Sequence, residues 1–168
     1  MGTEEHKAAA AKTVRIAIIT LSSTRSLTDD ASGGLIEEQL ESMGHDVVHH
    51  VVIPDNPDII AGTTLDAIQD HRPQVVLMNG GTGISPRDVT IETVKGLLEK
   101  EMTGFGALFS ALSYEEIGAP AILSRATAGV IKGTAVFCMP GSLKACKLAC
   151  EKLIFPELGH LAKHLTEA

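Results

Sequence analysis

Hydrophobic positions along the chain fall into short β-rich runs separated by longer stretches of helical spacing. Val14 to Leu21 is almost continuously apolar, as expected of a strand covered on both faces of a parallel sheet. After the polar stretch Ser22 to Gly33, Leu35, Ile36, Leu40 and Met43 recur at helical spacing and Gly44 supplies a stop. His45 to Ile53 returns to strand character. Asn56-Pro57 then opens a helix that turns Ile59, Ile60, Leu65 and Ile68 towards a core. A third strand, Gln74 to Asn79, runs into Gly80-Gly81-Thr82-Gly83. Helices are predicted from near Thr90 and over Phe105 to Ile117, and strands over Ala121 to Ser124 and Thr134 to Met139. Ser142 is placed to cap a helix running through Leu153, which Pro156 breaks before a short terminal helix through Leu165.

Strands alternating with helices imply βαβ units. The expected fold class is α/β: a single three-layer domain over 14–168, Rossmann-like, with a mostly parallel sheet and helices on both faces. The polar, Ala-rich segment over 1–13 reads as a mobile tail. In such sheets ligands sit beyond the carboxyl ends of the strands. The loops after Leu21, Ile53, Asn79 and Met139 should therefore share one pocket.

Composition narrows the chemistry. The net charge is -7 and aromatic residues make up 3% of the 168-residue chain. An acidic chain without stacking platforms is a poor nucleic-acid binder, so no nucleic-acid partner is expected. No apolar run is long enough to span a bilayer, so no membrane partner is expected either. Cys138, Cys146 and Cys150 contain no C-x-x-C pair, which suits buried, reduced thiols and a cytoplasmic location.

Several segments could carry chemistry. Adjacent glycines in Gly80-Gly81-Thr82-Gly83 permit a backbone anion nest. Arg87 adds a charged fork, Asp88 could hold a hydrated Mg²⁺, and Thr90 closes the segment. It is neither a Walker loop nor G-x-G-x-x-G. Asp55 has two readings, a cap for the helix behind it and a second pocket carboxylate, and residue chemistry alone favours the cap. Ser22, Ser23, Thr24 and Arg25 suit phosphate binding but also an ordinary solvated loop. Pro140-Gly141-Ser142 could bring backbone and a helix N-terminus to an anion, or be a capped turn. His160 and His164 stand at i, i+4 with no third ligand evident, so no metal site is predicted there.

Taken together, Asp30-x-Ser32-Gly33, Ile53-Pro54-Asp55, Gly80-Gly81-Thr82-Gly83 through Arg87-Asp88-Val89-Thr90, Leu123-Ser124-Arg125-Ala126 and Met139-Pro140-Gly141-Ser142 resemble the MoaB/Mog family of molybdenum-cofactor biosynthesis proteins. Leu112 to Gly118 and Phe155 to His160 look like its MoaB branch. The resemblance implies adenylyl transfer from Mg-ATP to molybdopterin, with molybdopterin-AMP and pyrophosphate as products. It implies Asp55 and Asp88 as catalytic, Mg²⁺-holding carboxylates, which reverses the capping preference at Asp55. It further implies Ser22, Ser23, Gly80 to Gly83, Arg87, Thr90 and Pro140 to Ser142 as binding residues, a homotrimer or homohexamer, and a MoeA-type metal-insertion partner. The sequence departs from the family's habit at Ser22-Ser23, where Ser-Asp is frequent, and at Ile91, where Pro is frequent. A non-catalytic molybdopterin carrier is the alternative, and a flavin or nucleotide module a third reading.

Overall fold

The computed structural model describes residues 13–167; the expected tail lies outside them but for Thr13. The elements are β1 (Arg15–Leu21), α1 (Ala31–Ser42), β2 (Asp46–Ile53), α2 (Pro57–His71), β3 (Val75–Asn79), α3 (Thr90–Lys95), β4 (Lys100–Glu101), α4 (Thr103–Ile117), β5 (Thr127–Ile131), β6 (Thr134–Met139), α5 (Leu143–Ala149) and α6 (Leu158–Thr166). They build a six-stranded sheet in the order β2-β1-β3-β6-β5-β4. The β2, β1, β3 and β6 neighbours are parallel, whereas β5 pairs antiparallel with both β6 and β4.

Alternation along the central strands makes the three layers. Ile16, Ile18, Val75, Leu77, Phe137 and Met139 face a core shared with α1, α4, α5 and α6, where Ile36, Leu40, Phe109, Cys146 and Leu158 are buried. Ala17, Ile19, Val76, Met78, Val136 and Cys138 face the other core, filled by Ile60 and Ile68 of α2 and Ile91 and Val94 of α3. With helices on both faces, every residue of β3 is buried, which is why its sequence does not alternate. The three cysteines are buried. Burial pushes the Cys138 and Cys146 thiols up to about 12, so they pack as small apolar groups.

Two sequence expectations fail locally. Ala121–Ser124 is not a strand: Ala119–Leu123 forms a 3-10 turn with Pro120 in its first turn. Pro120 lacks an N–H and fixes φ, which favours the turn over a ladder. Ile122 and Leu123 in this turn are exposed. The antiparallel strand is instead Thr127–Ile131, turning into β6 through Lys132 and Gly133 at φ 47° and 77°. Nor does Pro156 end a helix that runs to Leu153. α5 stops at Ala149 and continues as a π-type turn over Cys150–Ile154. Pro156 then opens a 3-10 turn leading into α6, where its missing N–H costs nothing.

Register brings the carboxyl ends of the parallel strands level. Thr20 pairs with Val52 and Asn79, and Asn79 with Met139. The chain leaves β1 for β2 on one side and returns to β3 on the other. The crevice therefore opens beyond the ends of β1 and β3, where the strand order reverses. A buried polar chain ties these ends together. Asn79 Nδ2 donates to Thr20 Oγ1 at 2.8 Å, and the Thr20 hydroxyl donates to Asp30 Oδ2 at 2.5 Å. Asp30 caps α1 by accepting from Gly33 N at 2.9 Å, and His50 Nε2 of β2 lies 3.0 Å from the same carboxylate. Ser32, also in α1, donates to the Gly141 carbonyl at 2.9 Å, fastening the loop after β6.

Burial alone would push the Asp30 carboxyl up. Hydrogen bonds from Thr20, Gly33 and His50, with the His50 charge, outweigh it and hold Asp30 below the usual carboxylate range. Its ionised form therefore stabilises the fold above the unfolded-state value of about 4, and the contribution drains as pH falls through the lower folded-state value. Asp30→Asn should cost about 1–3 kcal/mol at neutral pH. In urea titrations from pH 7 to 3, the gap to wild type should narrow only below about pH 4.

Candidate active site

Four loops meet at the level strand ends. They enclose a cavity of about 290 Å³ lined by Leu21 to Arg25, Asp55, Gly80, Gly81, Arg87, Asp88 and Gly141. Each loop has a local reason for its course. Ser22 N donates to the Ile53 carbonyl at 2.8 Å, and Ser22 Oγ accepts from Thr24 N and Arg25 N at 3.3 and 3.1 Å. That turn projects Ser23 towards the loop after β2. There Asn56, not Asp55, caps α2, accepting from Asp58 N and Ile59 N at 3.0 and 3.1 Å. Asp55 is thereby left to face the cavity, and Ser23 Oγ donates to its Oδ2 at 2.9 Å. This hydroxyl orients Asp55.

The glycine loop is pressed against its surroundings. Gly80 and Gly81 have φ of 105° and 64°, which favours residues without a Cβ. A Cβ at Gly80 would strike the Leu21 carbonyl. One at Gly81 would strike Thr90 Oγ1 and come within 2.8 Å of Asp55 Oδ1. One at Gly83 would come within 2.8 Å of Asp88 Oδ2. Both carboxylates therefore lie against this loop. Thr90 clamps its start, donating from N to the Gly81 carbonyl at 3.0 Å and from Oγ1 to the Gly80 carbonyl at 2.9 Å. Asp88 Oδ2 accepts from Ser85 N at 2.9 Å. Among the described residues, the N–H groups of Gly81, Thr82, Gly83 and Ile84 find no acceptor. Of these four residues Gly81 lines the cavity beside Arg25 and Arg87, and a run of unpaired amides next to arginines is what an anion needs in an otherwise acidic chain.

The sequence-predicted residues divide into two sets. Ser22, Ser23, Gly80, Gly81, Arg87, Asp88, Asp55 and Gly141 share the cavity. Thr82 and Thr90 are buried, and the Thr90 hydroxyl is occupied within the loop. Pro140 offers its carbonyl to Cys146 Sγ at 3.2 Å, and Ser142 Oγ caps α5 by accepting from Ala145 N at 3.2 Å. His160 and His164 lie on α6, 2.8 Å apart at Nε2. Among the described residues no group of three or more His, Cys, Asp or Glu could hold a metal on its own.

Arg125, which the sequence marks only as part of a motif, reaches the loop from the irregular segment just before β5. Its Nε donates to the Thr82 and Gly83 carbonyls at 3.0 and 3.1 Å, and its Nη2 to the Gly83 carbonyl at 2.7 Å. Its Nη1 pairs with Glu92 of α3. Glu92 raises the Arg125 guanidinium above its ordinary value, and Arg125 lowers the Glu92 carboxyl. Thr20 and Asn79 were unmarked, because they stood inside runs that read simply as strand. Only a polar residue at the last turn of an apolar run hinted at them.

Comparison with known proteins bears on this arrangement. A family described as a probable molybdopterin binding domain matches residues 17–160. The chain is 48% identical over 166 residues to molybdenum cofactor biosynthesis protein B of Bacillus subtilis, covering 98% of each. The chain belongs to the MoaB/Mog family. Within that family, a Methanocaldococcus jannaschii protein named probable molybdopterin adenylyltransferase is 39% identical over 163 residues, spanning 93% of this chain and 96% of its own. The crystal structure of the tungsten cofactor synthesizing protein MoaB from Pyrococcus furiosus superposes with a TM-score of 0.83 at 40% identity, covering 94% of this chain and all of that one.

Gly81→Ala tests how tightly the loop is held. The positive φ and the collision with Thr90 should together cost about 2 kcal/mol. Thermal melts should show it, and Gly62→Ala, where a Cβ meets nothing within 4 Å, should not.

Proposed function

We propose that the protein activates molybdopterin by adenylylation. A terminal phosphate oxygen of molybdopterin attacks the α-phosphorus of ATP. A new P–O bond forms, the bond to the β-phosphate oxygen breaks, and pyrophosphate leaves with the electron pair. The attacking phosphate is already anionic at neutral pH, so no protein nucleophile or base is required. What the protein must do is align two polyanions that repel each other.

The observation that carries this reading is the glycine loop with its open amides, flanked by Asp55 and Asp88, in a chain so similar to a probable molybdopterin adenylyltransferase. The loop amides and Arg87 suit the phosphates. The Ser22 to Arg25 turn and Gly141 border the remaining space. Two carboxylates offering only oxygen fit Mg²⁺, which keeps several waters and takes its other ligands from substrate phosphates. Bound there by Asp55 and Asp88, Mg²⁺ supplies charge neutralisation for the phosphates and the leaving group. Ser23 holds one of these carboxylates in place.

Self-association as a trimer or hexamer belongs to the same reading. Leu108, Tyr114 and Ile117 of α4, with Ile122 and Leu123 of the following turn, are exposed large apolar residues, a pattern that suits subunit contact. The activated product calls for a metal-inserting partner of the MoeA type, working in the cytoplasm. No helix of the described residues is long and apolar enough to cross a membrane.

Single-turnover conversion of molybdopterin with ATP and Mg²⁺ should yield stoichiometric adenylylated pterin and pyrophosphate, abolished by chelator. Asp55→Asn and Asp88→Asn should each slow it at least ~100-fold without loss of fold. Molybdopterin binding without any product would instead identify a carrier.

A further inference from the structure

The contacts of Arg125 have a directional consequence. A trans peptide points its carbonyl and the following N–H in opposite directions, and no peptide bond among the described residues is cis. Arg125 draws the Thr82 and Gly83 carbonyls towards itself. The N–H groups of Gly83 and Ile84, on the far sides of those same peptides, are therefore turned away from it. They are two of the four consecutive amides without an acceptor among the described residues. The guanidinium is itself anchored by Glu92 at the start of α3, so it bridges the loop and the helix that follows it.

We propose that Arg125 is a positioning residue for the phosphate loop: by holding the Thr82 and Gly83 carbonyls it presents the Gly83 and Ile84 amides to the phosphates of the nucleotide. The inference rests on the adenylylation reading for the identity of the ligand, and on the loop contacts alone for the role of the arginine. A planar fork can serve two carbonyls and a carboxylate at once, whereas a lysine ammonium is a single point charge on a flexible stem. Charge alone at this position is thus insufficient.

The test is binding of inorganic pyrophosphate and of ATP, followed by calorimetry and by the backbone amide resonances of the loop. Wild type should bind both with shifts at Gly83 and Ile84. Arg125→Lys and Arg125→Ala should weaken binding about tenfold, the scale of one or more hydrogen bonds to a charged group, and lose those two shifts. Added guanidinium should restore part of the affinity of Arg125→Ala. Glu92→Gln, which leaves the carbonyl contacts intact, should bind within about twofold of wild type, as expected for removal of an exposed ion pair. Wild-type affinity and wild-type amide shifts in Arg125→Lys would overturn the inference while leaving the adenylylation reading untouched. So would a loss in Arg125→Ala that follows unfolding and that guanidinium does not restore, if Arg125→Lys keeps the two shifts. A wild type that binds neither pyrophosphate nor ATP would overturn both.

Discussion

A single buried carboxylate, Asp30, is the point on which the geometry of the strand ends depends. It accepts from β1 through Thr20, from the first turn of α1 through Gly33, and lies against His50 of β2. Through Thr20 it also reaches Asn79, the last residue before the glycine loop. A charge so buried is costly unless its acceptor sites are filled. Each filled site fixes a different element, and the cost of leaving one empty is what discourages those elements from sliding. The glycine loop begins one residue beyond Asn79 and the Ser22 turn two residues beyond Thr20.

An acidic protein that handles phosphates must gather donors locally. Here it does so with backbone rather than with a lysine-rich surface. Gly80 and Gly81 sit so close to the Leu21 carbonyl, Thr90 and Asp55 that no side chain fits. The loop carbonyls are taken up by Thr90 and Arg125, which leaves amides as the open groups. Peptide geometry thus converts the capture of carbonyls behind the loop into the presentation of donors in front of it. Asp55 and Asp88 lie against its flanks and counter this positive potential.

Small differences of sequence act through the same geometry. Ser23 offers a hydroxyl to Asp55, where the family resemblance leads one to expect another carboxylate, so one acid is oriented instead of two being set against each other. Ile91, where the family resemblance leads one to expect a helix-starting proline, is buried against α2 and the sheet. It contributes packing where proline would contribute a preset φ.

Periodicity along the chain was sufficient for the α/β class, the central strands and the polar loops at their ends. Burial on both faces writes itself into a strand as an unbroken apolar run, and glycine pairs mark tight turns. Motif order was sufficient for the family, and the two acids it singled out, Asp55 and Asp88, line one cavity. Tertiary structure alone decided the rest. Asn56 and Asp55 are neighbours with similar capping ability, and only the direction of the chain after β2 gave the cap to Asn56 and the cavity to Asp55. Ala121 to Ser124 has the composition of a strand, but the ladder beside β6 was taken by Thr127–Ile131. Arg125 touches a loop more than 40 residues earlier in the chain, and Ser32 holds a carbonyl 109 residues later. Local sequence carries propensity over a few residues, whereas such contacts exist only once the sheet has brought distant segments together.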